Sequence, residues 1–310
     1  MSSDFSTTVT AKWILAGEHS VVRSHPAIIY PLPHYQLSLS YEKSSSPWEV
    51  NVSGIHHQEI ETLFFSTLEH ALTLANRQPI NKTGKFSIHN AIPIGSGLGA
   101  SAAFCLAISR WLAWQHDIDP SELYFQAKQL ENLFHGQSSG IDIVGVGASQ
   151  GRIFHAGHHE AVTQTWQPHW YLSSSGSLSK TSKCIEEVKA IWQNDPSLAH
   201  RIDEQMTESV LLAKEALQTA NGITKLAEAI NLAQNCFQQW GLIDTHLQCH
   251  LDNLTTAGAL ACKPTGSGGG GYVISLWEQS APQLPWTMIP LQQPTLRFDT
   301  KPTKDFLYYD

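Results

Sequence analysis

Several short stretches of this chain carry glycines and charged side chains at spacings that suit phosphoryl chemistry. The densest is Pro93-x-Gly95-x-Gly97-Leu98-Gly99-x-Ser101. Glycines at alternate positions let the backbone approach a ligand closely and turn its N–H groups inward. The run from Ala102 to Gln115 behind them has no breaker and predicts a helix, whose unpaired first N–H groups and positive dipole end would face the same point. Such a loop suits a polyphosphate, although a glycine loop before a helix also serves as a plain connection. Its G-x-G-x-G spacing departs from the dinucleotide fingerprint G-x-G-x-x-G, and no acidic ribose partner follows about twenty residues on. The P-loop pattern G-x-x-x-x-G-K-S/T is absent.

A second group is Lys12-Trp-Ile-Leu-Ala-Gly17-Glu18-His19-Ser-Val-Val22, where a cation, a glycine turn and an acid–imidazole pair follow an apparent N-terminal strand. A strand ending in a polar turn would read the same way. The third is Glu131-Asn-Leu-Phe-His135-Gly-Gln-Ser-Ser139-Gly140-Ile-Asp142. The glycine-containing loop could fold Asp142 back toward Glu131, and two carboxylates beside a triphosphate suit one role at Mg²⁺ and one at an acceptor hydroxyl. Solvated loop acids are the plain alternative. A glycine run, Thr265-Gly266-Ser267-Gly268-Gly269-Gly270-Gly271, leads straight into an apolar strand, which favours a backbone nest bracing a ligand loop over a flexible linker.

The elements that must position these groups are partly legible. Tyr35 to Tyr41 alternates apolar and polar, the two-residue period of a half-buried strand, and the first third of the chain reads as strand-rich. Another strand around Phe86 and Ile88 leads into the glycine loop. Asp119 as N-cap, Pro120 at the first helical position and Glu122 three residues after the cap begin a helix over 120–135. Leu123, Ala127, Leu130 and Phe134 mark its apolar face, and Gly136 stops it. From Trp166 the character changes. A short strand at Trp170-Tyr-Leu172 precedes helical patterns over about 183–193, 197–220 and 223–240, and strands return at 271–276 and 295–298. The expectation is an α+β protein of two domains, 1–165 and 166–310, the second with helices covering a small antiparallel sheet.

Bulk composition narrows the function. The 310 residues are 42% hydrophobic and 15% charged, so the chain folds. Its 19 basic and 27 acidic residues, net charge −8 and lack of charge runs argue against a nucleic-acid or anionic-membrane surface. The start of the chain lacks the basic residues and apolar run of a signal peptide, and a cytoplasmic location is expected. The 5 scattered cysteines contain no C-x-x-C and read as reduced thiols. The 16 histidines show no H-E-x-x-H spacing and read as surface residues.

In order along the chain, the Lys12–His19 segment, the Pro93–Ser101 loop and the Gly266–Gly271 turn resemble the three ordered motifs of the GHMP kinases. Gly17-Glu18-His19-Ser-Val-Val22 with His25-Pro-Ala27, and Glu131-x-x-x-His135-Gly136-x-x-Ser139-Gly140-x-Asp142, are most similar to the mevalonate kinase branch. The resemblance implies a ribosomal-protein-S5-like N-terminal domain, a ferredoxin-like C-terminal domain and a cleft between them. It implies ATP as co-substrate at Asn90, Gly95, Ser96, Gly97, Leu98, Gly99, Ala100 and Ser101, and Mg²⁺ at Ser101 and Glu131. Asp142 falls where the acceptor hydroxyl is deprotonated, with Lys12 beside it, and His19 and Thr181 fall where substrate is touched. The implied reaction phosphorylates (R)-mevalonate to 5-phosphomevalonate. Phosphomevalonate kinase, another GHMP small-molecule kinase and a non-catalytic metabolite-binding homologue remain alternatives, and a homodimer is one option for assembly. Departures from the pattern are Ala100 in place of the first serine of a Ser-Ser pair, Gln137-Ser138 in place of Asn-Pro, and Ile143 after the aspartate.

Overall fold

The computed structural model describes residues 3–75, 82–116, 118–136 and 138–291. A first sheet is formed by β1 (Phe5–Ala16), β2 (Ala27–Pro47), β3 (Glu49–Gly54), β4 (Thr83–Asn90), β5 (Arg152–His155) and β6 (His158–Ala161). Its order is β3-β4-β2-β5-β6, with β1 antiparallel to the long β2, and only β3 and β4 run parallel. The first half of β1 alternates between buried and more exposed positions. Its second half, Ala11 to Ala16, is buried on both faces because the strand also meets helices from the other half of the chain.

Four helices belong to this half: α1 (His57–Leu74), α2 (Ala100–His116), α3 (Pro120–His135) and α4 (Ile141–Gly147). The breaker-free run behind the glycine loop is α2, and nearly every residue from Ala102 to Leu112 is buried. An all-round apolar helix needs partners on every side, and α2 has them in β1, β2, α1, α3 and α4. The expected helix over 120–135 is α3.

The second sheet is antiparallel throughout, with order β10-β7-β9-β8, from β7 (His169–Ser174), β8 (Ala261–Thr265), β9 (Tyr272–Trp277) and β10 (Ile289–Pro290). The helical patterns of this half are α5 (Thr181–Asn194), α6 (Pro196–Gln218) and α7 (Ile223–Gln239), followed by α8 (Thr245–Thr256). The Asp195 side chain caps α6 by accepting from the Leu198 N–H at 2.9 Å, with Pro196 at the first helical position. Asp244 caps α8 in the same way through the Leu247 N–H at 2.8 Å. The strand expected at 295–298 lies outside the described residues.

Both halves contribute to one continuous apolar core, and buried polar contacts link them as well. Trp13 on β1 stacks on Tyr30 of β2 at 4.7 Å, and the edge of Trp170 from β7 meets Trp13 at 5.0 Å. Such aromatic contacts fix orientation as well as burying area. Among the described residues no helix is long and apolar enough to cross a membrane.

Candidate active site

The glycine loop and the glycine turn, far apart in sequence, pack backbone against backbone. A Cβ on Gly97 would lie 2.7 Å from the Thr265 carbonyl oxygen, and one on Gly266 would lie 2.7 Å from the Gly97 Cα. Both residues have positive φ, so neither position tolerates a side chain without strain. Ser179 N–H donates to the Gly95 carbonyl at 3.0 Å, tying a third segment to the same place. Ser96 turns its hydroxyl inward to the Pro93 carbonyl at 2.6 Å. Leu98 is buried in the core, and its carbonyl accepts the Lys12 N–H at 3.0 Å. Ala100 and Ser101 open α2, so the loop does end at a helix N-terminus. Asn90 is fully buried, and its amide bonds the Ile55 carbonyl and both backbone groups of Ile92, bracing the end of β4 before the loop.

Beside the loop lies the acid–base pair. Lys12 Nζ is 2.8 Å from Asp142 Oδ1, the lysine almost wholly buried and the aspartate side chain 27% exposed. Asp142 occupies the first turn of α4, whose N-cap Gly140 has φ 88°. A Cβ there would strike the Tyr124 hydroxyl at 2.1 Å, so the turn that delivers Asp142 requires glycine. Glu131, from the last turns of α3, is buried nearby. Burial first, and the charge of Asp142 second, raise its pKa to about 8. Ser138, where the related pattern has proline, donates its hydroxyl to Glu131 Oε2, while its N–H bonds Asn132 Oδ1 at 2.7 Å. The loop between the two carboxylates thus folds back as expected.

The Gly17-Glu18-His19 turn is held by the other half of the chain. Glu18 is buried against Lys263 Nζ. His19, at φ 59°, donates from Nε2 to the Ser267 carbonyl at 2.9 Å and meets the Trp240 ring at 5.0 Å. Burial lowers the His19 pKa to about 4, which keeps the imidazole neutral. Thr181, the first residue of α5, accepts from the Ser267 hydroxyl at 3.2 Å, so the two residues expected to touch substrate converge on Ser267. Just beyond, Arg23 forms two bonds to the buried Asp203 carboxylate and lies over the Trp192 ring at 4.9 Å.

Sequence reasoning did not single out Lys263 or Asp203, and it named Ser267 only within the glycine run and Ser138 only as a departure from the family pattern, without these contacts. For Lys263 there is a local signal, a lone cation in the otherwise uncharged stretch Leu260 to Thr265 just before the glycine turn. The others carry none, because their roles depend on partners distant in sequence or on a tight turn.

Comparison with known proteins bears on the family and the fold. The family described as "GHMP kinases N terminal domain" matches residues 63–149. The mevalonate kinase of Pyrococcus abyssi is 31% identical, with 86% of each chain covered. Among solved structures, L. major mevalonate kinase in complex with R-mevalonate superposes with a TM-score of 0.74 at 21% identity, covering 93% of this chain and 96% of the other. Streptococcus pneumoniae phosphomevalonate kinase gives a TM-score of 0.71 at 17% identity, covering 89% and 93%. The structural likeness at these identities establishes the shared fold, and the sequence match extends over most of both chains. The chain belongs to the GHMP kinase family, beside its mevalonate kinases.

Proposed function

We infer that this chain is an ATP-dependent mevalonate kinase, transferring the γ-phosphoryl group of ATP to the primary hydroxyl of (R)-mevalonate to give 5-phosphomevalonate and ADP. The observation that carries the chemistry is the Lys12–Asp142 pair at 2.8 Å beside the glycine loop. Asp142 is open enough to meet an acceptor hydroxyl, which it orients and whose proton it receives. Lys12, buried beneath it, places a fixed positive charge near the transferring group, where charge is delocalised in the transition state. The backbone N–H groups at Gly95 to Ser101 and the start of α2 cradle the phosphates. His19, neutral and anchored on Ser267, and Thr181 line the acceptor side.

Glu131 and Ser101 fit Mg²⁺. Both offer hard oxygen donors, and the buried carboxyl of Glu131, pushed up to about 8 partly by Asp142, is a position where a cation relieves a real repulsion. When bound there, the ion neutralises charge on the phosphate oxygens. Among the described residues no group of three or more His, Cys, Asp or Glu is placed to hold a metal ion by itself.

A coupled ADP-release assay over mevalonate, phosphomevalonate, homoserine and galactose tests the reading. Turnover is expected on mevalonate with Mg²⁺. Turnover on phosphomevalonate alone would reassign the acceptor, and turnover on none would remove the enzymatic reading.

A further inference from the structure

We propose that Lys263 is a positioning residue for the transfer: its ion pair with Glu18 latches the turn carrying His19 onto β8, so that the acceptor side of the cleft is assembled from both halves of the chain. This rests on the reading of His19 as a substrate contact. The geometry is a row of alternating grips. Lys263 holds Glu18 and also donates to the Ile14 carbonyl at 3.3 Å. Thr265, two residues on, accepts the Ile14 N–H at 2.8 Å and donates to the Ile14 carbonyl at 3.1 Å. Ser267, two residues further, accepts from His19 at 2.9 Å. Lys263 and Thr265, alternate residues of β8, point their side chains the same way, and the chain then turns at Gly266 (φ 86°) to bring the Ser267 backbone carbonyl to His19, so this stretch seats Ile14, Glu18 and His19 together. The residue between the last two, Gly266, touches Gly97 of the phosphate loop.

Within that row the ion pair is the unusual element. Lys263 and Glu18 are 0% and 2% exposed, and Glu18 Oε2 is buried without a hydrogen-bond partner. Glu18 therefore depends on Lys263 for its place. A buried ion pair adds little net stability compared with apolar packing, yet removing one partner strands the other charge. Among the described residues, Lys12 on β1 also acts on Glu18, Cys236 on α7 feels the charge of Glu18, and Asp203 on α6 and Arg23 act on the adjoining His19. Lys12 is already engaged with Asp142, so it does not replace Lys263. Burial raises the pKa of Glu18 and lowers that of Lys263, and their mutual attraction opposes both shifts.

The test measures kcat, KM for mevalonate and the affinity for a non-hydrolysable ATP analogue across pH in the wild type, Lys263→Met, Glu18→Gln and the double variant. In Lys263→Met the carboxyl is tolerated while protonated and expels the turn once ionised. KM for mevalonate is expected to climb at least about tenfold as pH rises, the loss of a partner from a buried pair being strongly unfavourable. In Glu18→Gln the stranded group is the lysine, so KM falls as pH rises. The neutral double variant shows neither slope, and analogue affinity stays within about twofold in all four, since the phosphate cradle is not the group displaced. Slopes of the same sign in the two single variants, a slope surviving in the double variant, or equal loss of nucleotide affinity would overturn the proposal. If the wild type does not phosphorylate mevalonate, the functional reading fails on that result alone. The latch is then read from the melting midpoints of the same four proteins, where the single variants must again show opposed pH slopes. If Lys263→Met does not fold, Glu18→Gln against the double variant decides the matter by the same criterion.

Discussion

Two lysine–carboxylate pairs anchor the site, and they are built to opposite specifications. Lys12–Asp142 leaves its carboxylate 27% exposed, whereas Lys263–Glu18 leaves its carboxylate 2% exposed. The N-terminal segment supplies one member of each, Lys12 from β1 and Glu18 from the turn after it, so the two pairs lie at the ends of one short stretch. The difference is in what each pair can do. Asp142 can exchange its lysine contact for a hydroxyl, because water or substrate reaches it. Glu18 has no such access and can only hold. On the proposed function, one pair belongs to the chemistry and the other to the alignment of the parts around it.

The largest expected effect breaks the open pair. Asp142→Asn should lower kcat by about a hundredfold or more, with the affinity for an ATP analogue and the melting midpoint close to wild type. Near-normal turnover would remove Asp142 from the reaction. Next comes the close approach of the glycine loop to the glycine turn. Gly97→Ala should destabilise the fold by about 1–3 kcal/mol and weaken nucleotide binding, measured by denaturant unfolding and calorimetric titration. Gly176→Ala is the control, because it shares the positive φ but meets nothing within 4 Å. Equal losses in the two would show that strain, and not the Gly97–Thr265 approach, sets the effect.

The smallest effect sharpens the closed side. His19 has its pKa lowered from 6.5 to about 4 by burial, so the folded protein binds fewer protons than the unfolded chain between those values. Its contribution to stability is present above the upper value and is lost as pH falls through that window. The melting midpoint of His19→Asn should therefore fall less than that of the wild type between about pH 6.5 and about pH 4. Parallel curves would mean that His19 titrates normally and is open to water.

Much of the frame was legible in local pattern. The helix over 120–135 announces itself through Asp119, Pro120 and Gly136, and the glycine loop reads directly as a turn before a helix. The helix α1 does not, since His56 at its N-cap is left-handed and makes no side-chain capping bond. Its apolar stripe of Ile60, Phe64 and Leu68 becomes decisive only when a sheet and α2 are there to cover it. Asn90 shows the converse. Placed by resemblance among the residues lining the nucleotide site, its side chain is engaged in bracing the strand end, which no spacing rule reveals.

The sequence alone determined which chemical groups are available and in what order: the three motifs, the lysine, and the two carboxylates separated by a loop able to fold back. Residue type and short-range periodicity act through bonds and steric limits within a few positions, so they are visible without a fold. Only the tertiary structure decided which charges are open and which are sealed. Nothing in the chain marks Glu18 and Lys263 as partners, and they became a latch because β8 packs against the end of β1 and excludes water from both. Burial is a property of what surrounds a residue, and here what surrounds it comes from the opposite end of the chain.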